Sequence, residues 1–278
     1  MHEIRIDPLS GLRAIVAIGG TTDLATAAEP IDAGEVPLLT PDAPDPPPQD
    51  NPDLVAALAA RGSHEAIDHG EHPVHALAEV AAEEVQAAVE VWRERMRAHA
   101  GAAYVHLCVD ESPATRSRAH LYALDFVPAA VARERERFSA HAVRTMGANL
   151  LEDLVADEVR RRERIVAIDD EAVLLCPYAS RHPYQLMLAP RRRRDRFEDD
   201  GPTGAALLHR GLRMLAQRFD AGPSLSLWVR TAPRGAERFC WRIDVAPRLA
   251  PAGGLELGTG LAHNPVSPER AAAELRGS

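Results

Sequence analysis

The sequence predicts an α+β fold built from two related halves, and two observations carry that prediction. Residues 103–128 read AYVHLCVDE, SPAT, RSRAHLYALDFVP, and residues 225–248 read LSLWVRTAP, RGAE, RFCWRIDVAPR. Each stretch is a strand of β-branched and apolar residues, a turn-rich break, and a second strand alternating inward and outward. Each is also preceded by an amphipathic helix and, before that, a short extended run. A unit repeated in this order predicts two antiparallel-sheet halves with packed helices, here residues 1–164 and 165–278.

The elements follow in order. Residues 4–18 (IRIDPLSGLRAIVAI) predict two short strands around a Pro-Leu-Ser-Gly turn, and residues 19–53 a proline-rich loop. Residues 62–68 form an extended run. A helix from Ala78 to His99 is predicted by Val80, Val85, Val89, Trp92 and Met96, which recur on one face. After the strands at 104–109 and 119–126, Pro128 opens a helical stretch to about Arg164, broken near Gly147. Its runs RERERF and DEVRRRER suit a solvated face. In the second half, VAIDDEAVLLCPYA and YQLMLAPR read as strands joined through SRHP. GPTGAALLHRGLRMLAQRF reads as a helix opened by Pro202 and Thr203. The tail bends at AGGLELGTG and ends in a helix from Ser267-Pro268-Glu269.

The totals exclude some functions. The net charge is −9 over 278 residues, which argues against a nucleic-acid surface. There is no lysine, so all 32 basic residues are arginine, the planar fork suited to phosphate or carboxylate. Cys108, Cys176 and Cys240 lie far apart without a Cys-x-x-Cys pair, which suits a reducing compartment. The acidic N-terminus has no apolar core like that of a signal peptide, and no apolar run approaches the roughly 18 residues of a membrane span. A cytoplasmic protein without membrane contact is expected.

The chain resembles the galactose-1-phosphate uridylyltransferase family of the histidine-triad superfamily. The resemblance rests on IRIDPLSGLRAIVA, HEAIDHGEHPVHALAEV and AHLYALDFVPAAVARERERF in the first half. In the second it rests on PYASRHPYQLMLAPRR, FCWRIDVAPRL and AGGLELGTGLAHNPVSPERAAAELR. It implies a histidine-triad-like fold duplicated in one chain, and a nucleotidyltransferase that moves UMP from a UDP-sugar to a hexose 1-phosphate. In the family, the second histidine of a His-x-His strand attacks the α-phosphorus. Such chemistry needs a neutral imidazole and donors around the phosphate. Homodimers occur among relatives, and many bind zinc through an N-terminal Cys-x-x-Cys and histidines.

Aligned on LYALDFVP, Arg118 stands where the resemblance puts the attacking histidine, Arg116 where its partner belongs, and His120 where a glutamine belongs. Guanidinium offers no lone pair, so Arg118 cannot carry the nucleotide. His120 faces the same way along the strand, and could act as a displaced nucleophile or as a hydrogen-bonding group to the phosphate. Arg116, Arg118 and Arg242 could form an anion clamp, or could be paired with Asp110, Glu111 and Asp244. Cys240, two residues before Arg242, could be a nucleophile in a basic pocket or inert packing, and packing is the preferred reading. His182 reads as structural, while the resemblance places Tyr184 and Gln185 beside the ligand. The zinc cysteines are absent, which leaves His72 and His75 of the cluster His64, His69, His72, His75 as metal candidates. Two functions are therefore carried forward. One is a transferase with His120 as carrier; the other is a nucleotide-binding pseudoenzyme with a regulatory or structural role.

Overall fold

A computed structural model describes residues 2–17, 62–69, 74, 76–112, 116–219, 222–249 and 251–277. The Pro-Leu-Ser-Gly turn joins β1 (His2–Ile6) to β2 (Arg13–Ala17), held by Asp7, whose carboxylate accepts the backbone N–H groups of Leu9 and Ser10. The first half continues with β3 (Gly62–Asp68), α1 (Ala82–Ala98), β4 (Tyr104–Glu111) and β5 (Arg118–Leu124). Next come α2 (Ala129–Arg144) and α3 (Leu150–Arg161). The second half follows with β6 (Ile165–Ile168), β7 (Ala172–Leu175), β8 (Leu186–Pro190) and α4 (Ala205–Arg218). It closes with β9 (Leu225–Arg230), β10 (Arg242–Pro247), α5 (Gly254–Thr259), β11 (Ala262–Asn264) and α6 (Pro268–Gly277).

Helix α1 begins four residues later than its periodicity suggests. Glu84 turns back to accept the Ala81 backbone N–H, which fixes the start, and residues 76–80 form turns instead. The stretch after Pro128 divides where expected. Met146 and Gly147 both adopt positive φ, and Asn149 then caps α3 by accepting the backbone N–H groups of Leu151 and Glu152. The glycine-rich bend in the tail contains a short helix, α5.

Eight strands form one antiparallel sheet in the order β3-β5-β4-β9-β10-β8-β7-β6, and β1-β2-β11 form a second, smaller sheet. Within the large sheet the halves meet where β4 pairs with β9, and each half adds its own last strand outside that pair, with three strands on the β4 side and five on the β9 side. Odd-numbered residues of β4, β5 and β9 point into the main core. Leu107, Leu121, Leu227 and Val229 meet Val85, Val89, Trp92 and Met96 of α1 and the apolar stripe of α4 there. Gly211 lets α4 lie close on the sheet, since a Cβ at that position would come within 2.6 Å of the Leu174 side chain. Arg93 of α1 is buried and donates to the carbonyls of Phe197 and Thr203, fastening the first half's helix to the second half. The opposite sheet face is covered by α2 and α3 beside β7 and β8, with Phe138, Leu151 and Val155 packed near Val173, Leu175 and Met187.

Candidate functional site

The even-numbered residues of β4, β5 and β9 point to that second face, and strand register arranges them in rows. One row runs from His64 on β3 through Tyr122 and His106 to Arg230 and Arg242. The next holds Ala66, His120, Cys108, Trp228, Asp244 and Met187. A third sets Asp68 opposite Arg118. The chemistry-bearing residues thus share one surface because the strands alternate, not because they adjoin in sequence.

His120 Nδ1 lies 3.0 Å from His64 Nε2, and the two rings stack at 5.3 Å between centroids. Tyr122 stacks on His64 at 4.7 Å. A hydrogen bond at Nδ1 leaves the Nε2 of His120 for other chemistry. Burial holds the His120 pKa below its ordinary value, with the charges of His64 and Arg118 acting in the same direction and Asp110 opposing them, so the neutral ring is favoured. Burial also pushes His106 down to about 4, helped by Arg230. Cys108 sits opposite His120 but is no competing nucleophile, because burial pushes its thiol up to about 12.

The arginines part company. Arg118 Nε lies 2.7 Å from Asp68 and Arg116 Nε 3.7 Å from the same oxygen, so the two cations share one exposed carboxylate. Arg242 is sealed in the interior. Its two terminal nitrogens donate to both oxygens of Glu134 at 2.9 and 3.0 Å, and its Nε donates to Asp244 at 2.9 Å. Burial works against this charge, but Asp244 and Glu134 outweigh it and raise the Arg242 pKa. The three-arginine clamp is therefore not formed. Arg242 is held by two carboxylates, while Arg116 and Arg118 stand three strands away beyond β4 and β9. Of the alternatives open in sequence, Arg242 is paired with Asp244 and also with Glu134, which RERERF did not reveal as buried.

The remaining candidates are distributed as follows. Tyr184 is buried on the helix side, donating to Glu274 and packed edge-on against Phe219, so it does not face the histidines. Its neighbour Gln185 points the other way and lines a cavity beside β10. Cys240 is buried among Phe138, Phe239 and Ala189, with its thiol pushed up to about 12 by burial. His182 contributes a backbone carbonyl to Asn264. His72 and His75 lie outside the described residues. Among the described residues no group of three or more His, Cys, Asp or Glu comes together to hold a metal.

Sequence reading missed a buried relay beneath the arginine loop. Trp92 Nε1 donates to His69 Nε2, His69 Nδ1 contacts Ser117 Oγ at 3.1 Å, and Ser117 Oγ donates to Glu111 at 3.0 Å. Glu111 also accepts the Leu77 backbone N–H at 2.7 Å. Ser117 is the residue between Arg116 and Arg118, so this chain fixes the turn that presents them. Burial pushes His69 down to about 4, which keeps it neutral in the relay. The only signal in sequence was a serine between two arginines.

No family model matches the sequence. Galactose-1-phosphate uridylyltransferase of Rattus norvegicus is 28% identical over 193 residues, covering 67% of this chain and 50% of that protein. The Haemophilus influenzae enzyme of the same name is 27% identical over 177 residues, covering 60% of this chain and 49% of that one. The chain thus spans about half the length of these curated relatives. Among solved structures, an ADP-glucose phosphorylase from Arabidopsis thaliana with bound ADP-glucose superposes with a TM-score of 0.76 at 19% identity. That match covers 100% of this chain and 99% of the other. A structure described as uridylyltransferase gives 0.72 at 20% identity, covering 100% and 98%.

The chain is similar in sequence to galactose-1-phosphate uridylyltransferases. Its α+β fold with the large antiparallel sheet is the fold of these structural neighbours, and the family is one of nucleotidyl transfer. No helix among the described residues is long and apolar enough to cross a membrane.

Proposed function

We propose that the chain transfers a nucleotidyl group between a nucleotide sugar and a hexose 1-phosphate, with His120 as the covalent carrier. One observation carries this reading: His64 engages Nδ1 of a neutral His120, leaving Nε2 as a nucleophile on the open sheet face. In this tautomer Nδ1–H donates to His64 Nε2. Nε2 attacks the α-phosphorus, the bond from phosphorus to the bridging oxygen breaks, and a sugar 1-phosphate leaves with that electron pair. The ring becomes cationic, and its bond to His64 spreads the charge. A phosphate oxygen of the incoming hexose 1-phosphate then attacks the same phosphorus and releases the imidazole. Arg118 stands two residues along β5 on the same face, where it would neutralise phosphate charge with Arg116. The carrier is then displaced by about 7 Å along the strand from the position occupied by Arg118.

A second reading is favoured by Arg118 itself. A fixed cation stands where the resemblance puts the nucleophile, as expected of a protein that binds nucleotide sugars without turning them over. Incubation with UDP-glucose and with ADP-glucose, each labelled in the α-phosphate, separates the two. The transferase reading expects acid-labile label on the protein, retained in Arg118→Ala and lost in His120→Asn. Calorimetric binding with no label on any nucleotide sugar would overturn it in favour of the second reading. Absence of both binding and label would end both.

A further inference from the structure

The second half carries a cavity that the proposed transfer does not use. It lies on the same sheet face as His120, but over β8 and β10, between the turn at residues 7–12 and α3. Its walls are largely apolar, with Leu12, Leu154, Leu175 and Met187 facing the half-buried ring of Trp228. Its two ends differ in charge. At the inner end, Glu134 and Asp244 enclose Arg242, and Arg230 is 3.5 Å from Glu134, so two carboxylates meet two guanidinium groups. At the outer end Arg181 donates one terminal nitrogen to the Gly260 carbonyl, while its Nε is buried without an acceptor. Gln185 stands beside it, its amide oxygen taken by the Arg181 backbone N–H, which leaves the NH2 to donate. Buried N–H donors without acceptors are costly, and a ligand oxygen is what would satisfy them.

We infer that this cavity is a second ligand site, separate from His120, for a small monocarboxylate with a compact apolar body. The carboxylate meets Arg181 and Gln185 at the outer end, and the body lies along Trp228 and Met187. A second negative charge at the far end would meet Glu134 and Asp244, whose cations are already engaged, so dicarboxylates are excluded. The Nε of Arg230, ion-paired with Glu134 at 3.5 Å but without a hydrogen-bond acceptor, can take a neutral oxygen there.

Trp228 provides the readout, because Trp92 and Trp241, the other two tryptophans of the chain, are fully buried in the main core. The full chain is titrated with cyclohexanecarboxylate, cyclohexanol and cyclohexane-1,4-dicarboxylate by tryptophan emission and by calorimetry. Cyclohexanecarboxylate should bind saturably and shift the emission. Arg181→Gln, or either analogue, should bind about tenfold or more weakly, as loss of one charged hydrogen bond predicts. Trp228→Phe should abolish the emission change while calorimetric binding persists, and saturating UDP-glucose should leave the binding in place. The inference fails if wild type shows no saturable binding, or if Arg181→Gln or the dicarboxylate matches wild type with the monocarboxylate. It fails equally if the emission change survives in Trp228→Phe. Displacement by UDP-glucose would assign the cavity to the nucleotide-sugar site instead, leaving the transfer reading untouched.

Discussion

Strands β5 and β10 occupy matching places in the two halves, and their outward residues meet opposite fates. On β5, Arg118 is exposed and paired with Asp68, and His120 is half-buried with one nitrogen engaged. On β10, Arg242 and Asp244 stand at the corresponding register but are closed over by Glu134 of α2. One template thus gives an open face where no described helix seals it and a neutralised ion cluster where one does. The difference lies in the helix, not the strand. A guanidinium taken out of water needs carboxylates in close geometry, whereas one left in water needs little.

The comparison is broken most forcefully at Glu134. Glu134→Ala leaves Arg242 buried with one carboxylate instead of two, and should cost about 3–5 kcal/mol in urea unfolding. A loss below 1 kcal/mol would mean that Arg242 reaches solvent. Acid comes next. His69 and His106 are held at about 4, below the ordinary value of about 6.5, so the unfolded chain binds protons that the folded chain refuses. Their contribution is therefore present above pH 6.5 and is lost as pH falls toward 4. Between pH 7 and pH 5 each should remove about 2 kcal/mol. Unfolding midpoints at the two pH values, for wild type and His69→Gln, check this; an equal fall in both would exclude His69 as a source. The smallest effect is at Arg118. Arg118→Ala removes an exposed pair and should change stability by less than about 1 kcal/mol. It should nevertheless weaken nucleotide-sugar binding about tenfold, as loss of a charge-assisted phosphate contact predicts.

The architecture was legible in the sequence because strand alternation and helix periodicity are local signals. Residues 62–68 and 4–18 gave their strands directly, and Gly147 marks where the long helical stretch divides. The site was less legible, because it is made by pairings across the sheet. His64 and His120 are 56 residues apart, and only the register of β3 against β5 brings them together. Glu134 lies in a charged run whose local pattern suits a solvated face; its partner on β10 is 108 residues away. Tyr184 and Gln185 are neighbours, yet they point to opposite sides, and the positive φ of Tyr184 obscures which one turns toward the cavity.

The central claim is that His120 is the atom-bearing residue of the open half. Locating the adduct tests it most directly: after incubation with α-phosphate-labelled UDP-glucose or ADP-glucose, the modified peptide is isolated under mildly alkaline conditions and sequenced by mass spectrometry. A nucleoside monophosphate on His120, weakened when His64→Phe removes its hydrogen-bond partner, is the predicted result. An adduct on His64, His106 or Cys108, or an unmodified His120 in protein that turns over substrate, would contradict it.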